Sequence, residues 1–152
     1  MSTLYMMCGL PGSGKGSFAK RLAKSHKAVL IATAQISEEM FKYRKNLTDE
    51  DVFKAAIQRI RAEIEAGKSV VFDGANIKRG RREQIISSLP AGTSVEIFFM
   101  DIPYSICYEN ATTTKTRPVS PGTMARLRNM LEIPMPDEAD KVHNCTPKRL
   151  QE

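Results

Sequence analysis

Cysteine and histidine are scarce in this 152-residue chain, and their scarcity excludes several chemistries. The three cysteines, Cys8, Cys107 and Cys145, are scattered and odd in number, and His26 and His143 stand far apart. Such spacing builds neither a disulfide framework nor a zinc site, so a reducing cytoplasm is the expected setting. The chain shows no N-terminal signal pattern, and no apolar run approaches the length of a membrane span. Repeats, low-complexity tracts and linkers are lacking too. Residues 1–152 are therefore expected to form one domain, large enough for a substantial core. Acidic side chains are the minority, 17 Asp+Glu against 23 Lys+Arg, which gives a net charge of +6 and a pI near 9.3. That balance suits an anionic partner such as nucleic acid, although a solvated basic surface would have the same composition.

What the chain does have is a glycine-rich loop near its start, Gly9-Leu10-Pro11-Gly12-Ser13-Gly14-Lys15-Gly16-Ser17. It follows the apolar run Leu4–Cys8 and precedes a segment of helical character, 17–23. Strand, glycine-rich loop, then helix is the context of a phosphate-binding loop. Glycines let the backbone turn tightly and aim its N–H groups inward. Those groups and the positive end of the following helix form an anion site, drawn from Gly12, Ser13, Gly14, Lys15, Gly16 and Ser17. Lys15 adds a full charge for the β- and γ-phosphates of ATP. After Lys15 stands Gly16, where Ser or Thr commonly binds Mg²⁺, and the hydroxyl comes one residue later at Ser17.

Along the chain, strands alternate with helices. Strands are expected at 4–8, 28–31, 69–72 (ending at Asp73), 95–100 (ending at Asp101) and 142–145. Helices are expected at 17–23, 36–43, from the N-cap Thr48 to a C-cap at Gly67, and at 81–89, 104–112 and 123–131. In the helix over 36–43, Ile36, Met40 and Phe41 or Tyr43 should face inward. The polar segment 112–121, with Lys115 and Arg117, reads as a mobile loop. The alternation predicts an α/β fold: a three-layer αβα sandwich around a mainly parallel sheet of four to five strands. Ligands in such sheets bind at the carboxyl ends of strands, where Gly9, Ala32–Ala34, Asp73 and Asp101 fall.

Two further constellations carry chemistry. Asp73, beside the phosphate loop, could hold Mg²⁺-bound waters or orient an acceptor hydroxyl. After it come Asn76, expected to pin its own loop, and Lys78, Arg79, Arg81 and Arg82, candidates to grip acceptor phosphates. Lys115 and Arg117 are candidates to close over ATP and neutralise the transferring phosphoryl group.

The stretch Asp73-Gly74-Ala75-Asn76, the arginine at 81 and the phosphate loop together resemble the kinase domain of polynucleotide 5'-kinases and their P-loop relatives. Tyr108-Glu109-Asn110, Arg117-Pro118-Val119, Met124 and Leu127 are similar to that family's lid and following helix. The resemblance implies ATP and Mg²⁺ as cofactors, with Lys15, Asp73 and Arg117 catalytic. Asn76, Lys78, Arg79, Arg81 and Arg82 would lie toward the acceptor, with nucleic acid, DNA above all, as partner. The Lys15-Gly16-Ser17 order resembles adenylate-kinase-type loops, which implies a metal held largely through waters near Ser17 and Asp73, and a Ser17 hydroxyl on the α-phosphate.

One departure stands out. The family places an Asp after the second strand, as base, and an Arg three residues later. Here Ala34 and Ser37 occupy those positions. The acceptor could therefore be a 5'-hydroxyl end, or the hydroxymethyl group of a modified base such as 5-hydroxymethyluridine, as in kinases of viral DNA modification that this chain also resembles. In that case the setting would be the host cytoplasm. A nucleotide or small-molecule kinase of adenylate-kinase type is the alternative, and an ATP-binding module without transfer is another. With Ala34 in place of the Asp, the proton acceptor is expected to be Asp73, with Glu38 and Glu39 behind it.

Overall fold

The computed structural model describes residues 2–146. Five strands form one sheet in the order β2-β3-β1-β4-β5, every neighbouring pair parallel. The strands are β1 (Thr3–Cys8), β2 (Val29–Ala32), β3 (Val70–Asp73), β4 (Ser94–Met100) and β5 (Lys141–Cys145). The helices are α1 (Lys15–His26), α2 (Thr33–Phe41), α3 (Asp49–Glu65), α4 (Arg79–Ser87), α5 (Tyr104–Thr113) and α6 (Pro121–Met130), with a short 3-10 turn at Pro136–Glu138. The expected three-layer sandwich is the observed fold.

The central strand explains the layering. Side chains alternate along β1, so Leu4, Met6 and Cys8 enter the core under α2, α3 and α4, with Ile36, Ala56, Ile60, Ile64 and Ile85. Tyr5 and Met7 face the other way, into a core with Ala19 and Ala23 of α1. A strand covered on both faces must be apolar throughout, as β1 is. A third cluster, Leu10, Cys107, Ala111 and Met124, joins the phosphate loop to α5 and α6.

Element boundaries mostly shift by one to three residues from their expected places. The α3 start is as its sequence dictates: Thr48 Oγ1 accepts from the Asp51 N–H at 3.1 Å while Asp51 caps the Thr48 N–H at 3.1 Å. Its C-cap is Ala66, and Gly67 follows at φ +84°. The α6 helix begins earlier than expected because Ser120 caps the Thr123 N–H and Pro121 fits the first helical position. α2 begins at Thr33 rather than Ile36, and only Ile36 of its apolar set is fully buried. Phe41 and Tyr43 do not face inward; both are solvent-exposed, because α2 ends there and the chain turns toward α3. Among the described residues, no helix is long and apolar enough to cross a membrane.

Candidate active site

The phosphate loop joins β1 to α1. Gly12 and Gly14 take φ +83° and +87°, conformations that cost a side-chain-bearing residue dearly. Gly12 also has no room for one, since a Cβ there would lie 2.2 Å from the Cys107 carbonyl oxygen on α5. The loop is clamped to that helix by Asn110 Nδ2, which donates to the Gly12 carbonyl at 3.0 Å. At the start of α1 no side chain caps the helix and no acidic residue occupies the first turn, which leaves its N–H groups to an anion. Ser13 adds a buried hydroxyl without a hydrogen-bond partner. An orphaned buried polar atom is costly, and a phosphate oxygen is the complement this loop provides for.

Lys15 Nζ donates to the Leu10 carbonyl at 3.0 Å. Burial pushes its pKa down, and the charge of Asp73 works against that. Asp73, at the end of β3, is pushed up by burial, with Lys15 and Lys20 pulling it back. Its Oδ2 lies 3.8 Å from where a Cβ on Gly16 would stand, so the carboxylate rests against the first turn of α1. The expected pairing of strands one and three places it there.

Past Asp73 the chain is pinned to β1. Asn76 adopts φ +47° and its Nδ2 donates to the Met7 carbonyl at 2.7 Å, while the Gly9 N–H donates to the Ala75 carbonyl at 3.0 Å. Asn76 thus holds its own loop against the phosphate loop. Of the four basic residues that follow, Lys78 and Arg81 border a cleft and Arg79 and Arg82 do not. Arg82 requires a correction. Its side chain is 0% exposed, pairs with buried Glu138 at 2.8 Å and donates to the Asn76 carbonyl at 2.7 Å. A guanidinium so enclosed braces the Asn76 loop and is not available to grip phosphate. Arg79 is held by Glu83 at 2.9 Å and Asp137 at 3.0 Å.

The cleft, of about 480 Å³, opens at the carboxyl ends of β2 and β3; Phe72 and Ala75 line it, while Asp73 between them is not in its lining. Val52, Phe53, Phe72, Leu127 and Met130 give it apolar and aromatic walls, and Ala34 and Ser37 line it as well. Arg81 lies over the Phe53 ring at 4.1 Å and pairs with Glu50 at 2.9 Å. Lys78 reaches Glu132 at 3.8 Å. A comparable concavity on the outer face of α5, about 520 Å³, has no basic side chain in its lining. In the segment between α5 and α6, Arg117 at φ +52° pairs with Glu38 of α2 at 3.0 Å, and Lys115 is exposed. Glu39 is engaged by Arg59 at 2.8 Å. The two alternative bases are thus each held by an arginine.

Sequence reasoning missed Asp49 and Phe53 as cleft residues and Asn110 as the loop's clamp. The first two lie on a helix whose periodicity marks its buried face but not what lies beyond it. Asn110 is identified only by contact across 98 positions.

Residues 4–133 match the family model described as AAA domain, AAA_33. No curated protein matches the sequence at a significant level. Among solved structures, Kti12 of Chaetomium thermophilum in complex with ADP-AlF3 is similar at a TM-score of 0.78 and 18% identity, over 95% of this chain and 89% of that one. A sugar kinase from Janibacter sp. HTCC2649 is similar at 0.73 and 21% identity, over 99% and 90%. The Pnkp1/Rnl/Hen1 RNA repair complex contains a similar chain at 0.72 and 16% identity, covering 86% of this chain and 44% of that one. At these identities the likeness is one of fold.

Proposed function

From the premise that this chain belongs to the AAA domain family AAA_33, we propose that it is an ATP-dependent P-loop kinase whose acceptor is a hydroxyl on nucleic acid. The observation that carries the acceptor class is the cleft at the carboxyl ends of β2 and β3. Its apolar and aromatic walls, with Lys78 and Arg81 at the border, suit a nucleobase and its phosphates better than a polyhydroxylated sugar.

In the proposed reaction the acceptor oxygen forms a bond to the γ-phosphorus and the bond to the β,γ-bridging oxygen breaks, releasing ADP. The hydroxyl proton passes to Asp73. A carboxylate raised by burial is a better proton acceptor than an ordinary one, and Ala34 and Ser37, which line the cleft, offer no base. The loop N–H groups and Lys15 hold the phosphates, and Arg117, released from Glu38, would add charge over the transferring group. Among the described residues no cluster of three or more His, Cys, Asp or Glu could hold a metal by itself. Ser17 and Asp73 would hold Mg²⁺ largely through water, and the ion would supply further neutralisation of phosphate charge.

A small-molecule or nucleotide kinase is the second reading. It is favoured by the cleft's size and by walls drawn from α2, α3 and α6, which suit an isolated nucleotide. Incubation with γ-labelled ATP against DNA 5'-hydroxyl ends, hydroxymethylated DNA, RNA ends, nucleoside monophosphates and gluconate tests both. Label on nucleic acid is expected. Label confined to small molecules overturns the acceptor class, and ATP binding with no transfer to any acceptor overturns the kinase.

A further inference from the structure

Two large apolar side chains are more exposed than any other among the described residues, and both lie at the end of α2. Phe41 is 65% exposed and Tyr43 88%. They alternate with Lys42, Arg44 and Lys45. The turn that carries them is braced: the N–H groups of Tyr43 and Arg44 both donate to the Met40 carbonyl at 3.0 Å, and Arg44 pairs with Asp51 of α3 at 3.2 Å. Cleft-lining residues flank it in the chain, the nearest being Ser37 four positions before it and Asp49 four positions after. Ala34 and Ser37 of α2 line the cleft before it, and Asp49 and Phe53 of α3 line it after. At 1.5 Å per helical residue, Phe41 stands roughly 10 Å along α2 from Ala34.

The local charge is cationic in effect. Glu38, Glu39, Glu50 and Asp51 are engaged by Arg117, Arg59, Arg81 and Arg44. Lys42 and Lys45 have no ion-pair partner among the described residues. Asp49 is unpaired as well, and it borders the cleft.

We propose that the 41–45 turn is a binding platform for single-stranded nucleic acid, with Phe41 and Tyr43 stacking bases and Lys42 and Lys45 neutralising phosphates of a strand that leads into the cleft. Exposed aromatic rings among lysines are the elements by which proteins hold unpaired strands, because every base offers a face to stack and every linkage a charge. A duplex hides those faces. The proposal rests on the reading of the acceptor as nucleic acid. An acceptor that fills the cleft alone would not touch this turn.

Fluorescence anisotropy of a labelled oligothymidylate and of a duplex of equal length, with the intact protein, tests it. Both aromatic side chains are exposed, so Phe41→Ala/Tyr43→Ala should fold. That variant is expected to bind the single strand roughly tenfold or more weakly, while Phe41→Tyr/Tyr43→Phe retains the affinity. KM for an oligonucleotide acceptor should rise by the same factor with kcat unchanged. Unaltered single-strand affinity in the double alanine variant, preference of the wild type for duplex, or a change of oligomeric state in place of a change in affinity would each overturn the platform. If label from ATP reaches only small molecules while the alanine variant loses strand binding, the kinase acceptor assignment fails and the platform stands. If nucleic acid is phosphorylated with unchanged KM, the reverse holds.

Discussion

At the scale of single residues, the site is a half-buried lysine and a half-buried carboxylate that need each other and need a substrate. Burial disfavours the charge on both Lys15 and Asp73, and each partly offsets the other. Lys15→Ala is expected to abolish transfer, because no other loop side chain carries a full positive charge to the γ-phosphate. It should also remove the rise in Tm that ATP confers on the wild type through mass action. Turnover with labelled ATP and thermal shifts with and without ATP check both. Asp73→Asn keeps the shape and removes the charge. Turnover should fall about 10²–10⁴-fold, the usual span of a general base, while Glu38→Gln and Glu39→Gln remain within a few-fold of wild type. The pH dependence of the Asp73→Asn stability effect has a definite sign. Asp73 has a folded pKa above its ordinary 3.8, so its ionisation costs folding free energy that is full above the folded value and absent below 3.8. Asp73→Asn removes that cost but also the charge that supports Lys15, so its Tm relative to wild type should rise as pH climbs from 3.8 to neutral and fall back as pH drops toward 3.8.

At the scale of elements, two junctions hold the site together. One is the contact of the phosphate loop with α5. Gly12→Ala would drive a Cβ against the Cys107 carbonyl and force an unfavourable φ, so ATP binding should be lost even though Lys15 remains. Calorimetry with ATP measures this, and wild-type affinity would show that the loop can form without the α5 contact. The other junction is the buried pair between Arg82 of α4 and Glu138 of the 3-10 turn, which also orders the Asn76 loop. Removing one partner of a buried pair strands the other charge, so Arg82→Ala should cost roughly 3–5 kcal/mol in a denaturation experiment. Burial alone would push the Glu138 carboxyl up, but its bonds to Arg82 and the Met135 N–H hold it below its ordinary 4.5. Its contribution is accordingly present above 4.5 and is lost as pH falls through the lower folded value. Acid unfolding of Arg82→Ala should lack that component.

At the scale of the whole molecule, the chain carries a net charge of +6, and Lys78 and Arg81 border the cleft while Lys42 and Lys45 lie in the turn after α2. Binding of nucleic acid should then be salt-sensitive, with log affinity falling linearly against log salt in proportion to the phosphates neutralised. Anisotropy titrations at several salt concentrations give the slope. Each lysine-to-alanine change at 42 and 45 should reduce it by about one unit. A flat response would exclude phosphate contacts and favour the small-molecule reading.

The sequence by itself determined the layering, the phosphate loop and the position of Asp73. Each of these rests on local signals: alternation of apolar runs, glycines at fixed offsets, and the rule that strand ends carry the ligand. Thr48 was legible as a cap for the same reason, since its partners lie three residues away. Only the tertiary structure decided which basic residues face the cleft. Lys78, Arg79, Arg81 and Arg82 look alike in the chain, yet one is buried on Glu138 from 56 positions away and another is held by Asp137. Helical spacing assigns a residue to a face, and the neighbour that meets that face comes from a distant part of the chain. Phe41 and Tyr43 show the same limit, since their apolar character suggested a core and the end of α2 left them in water.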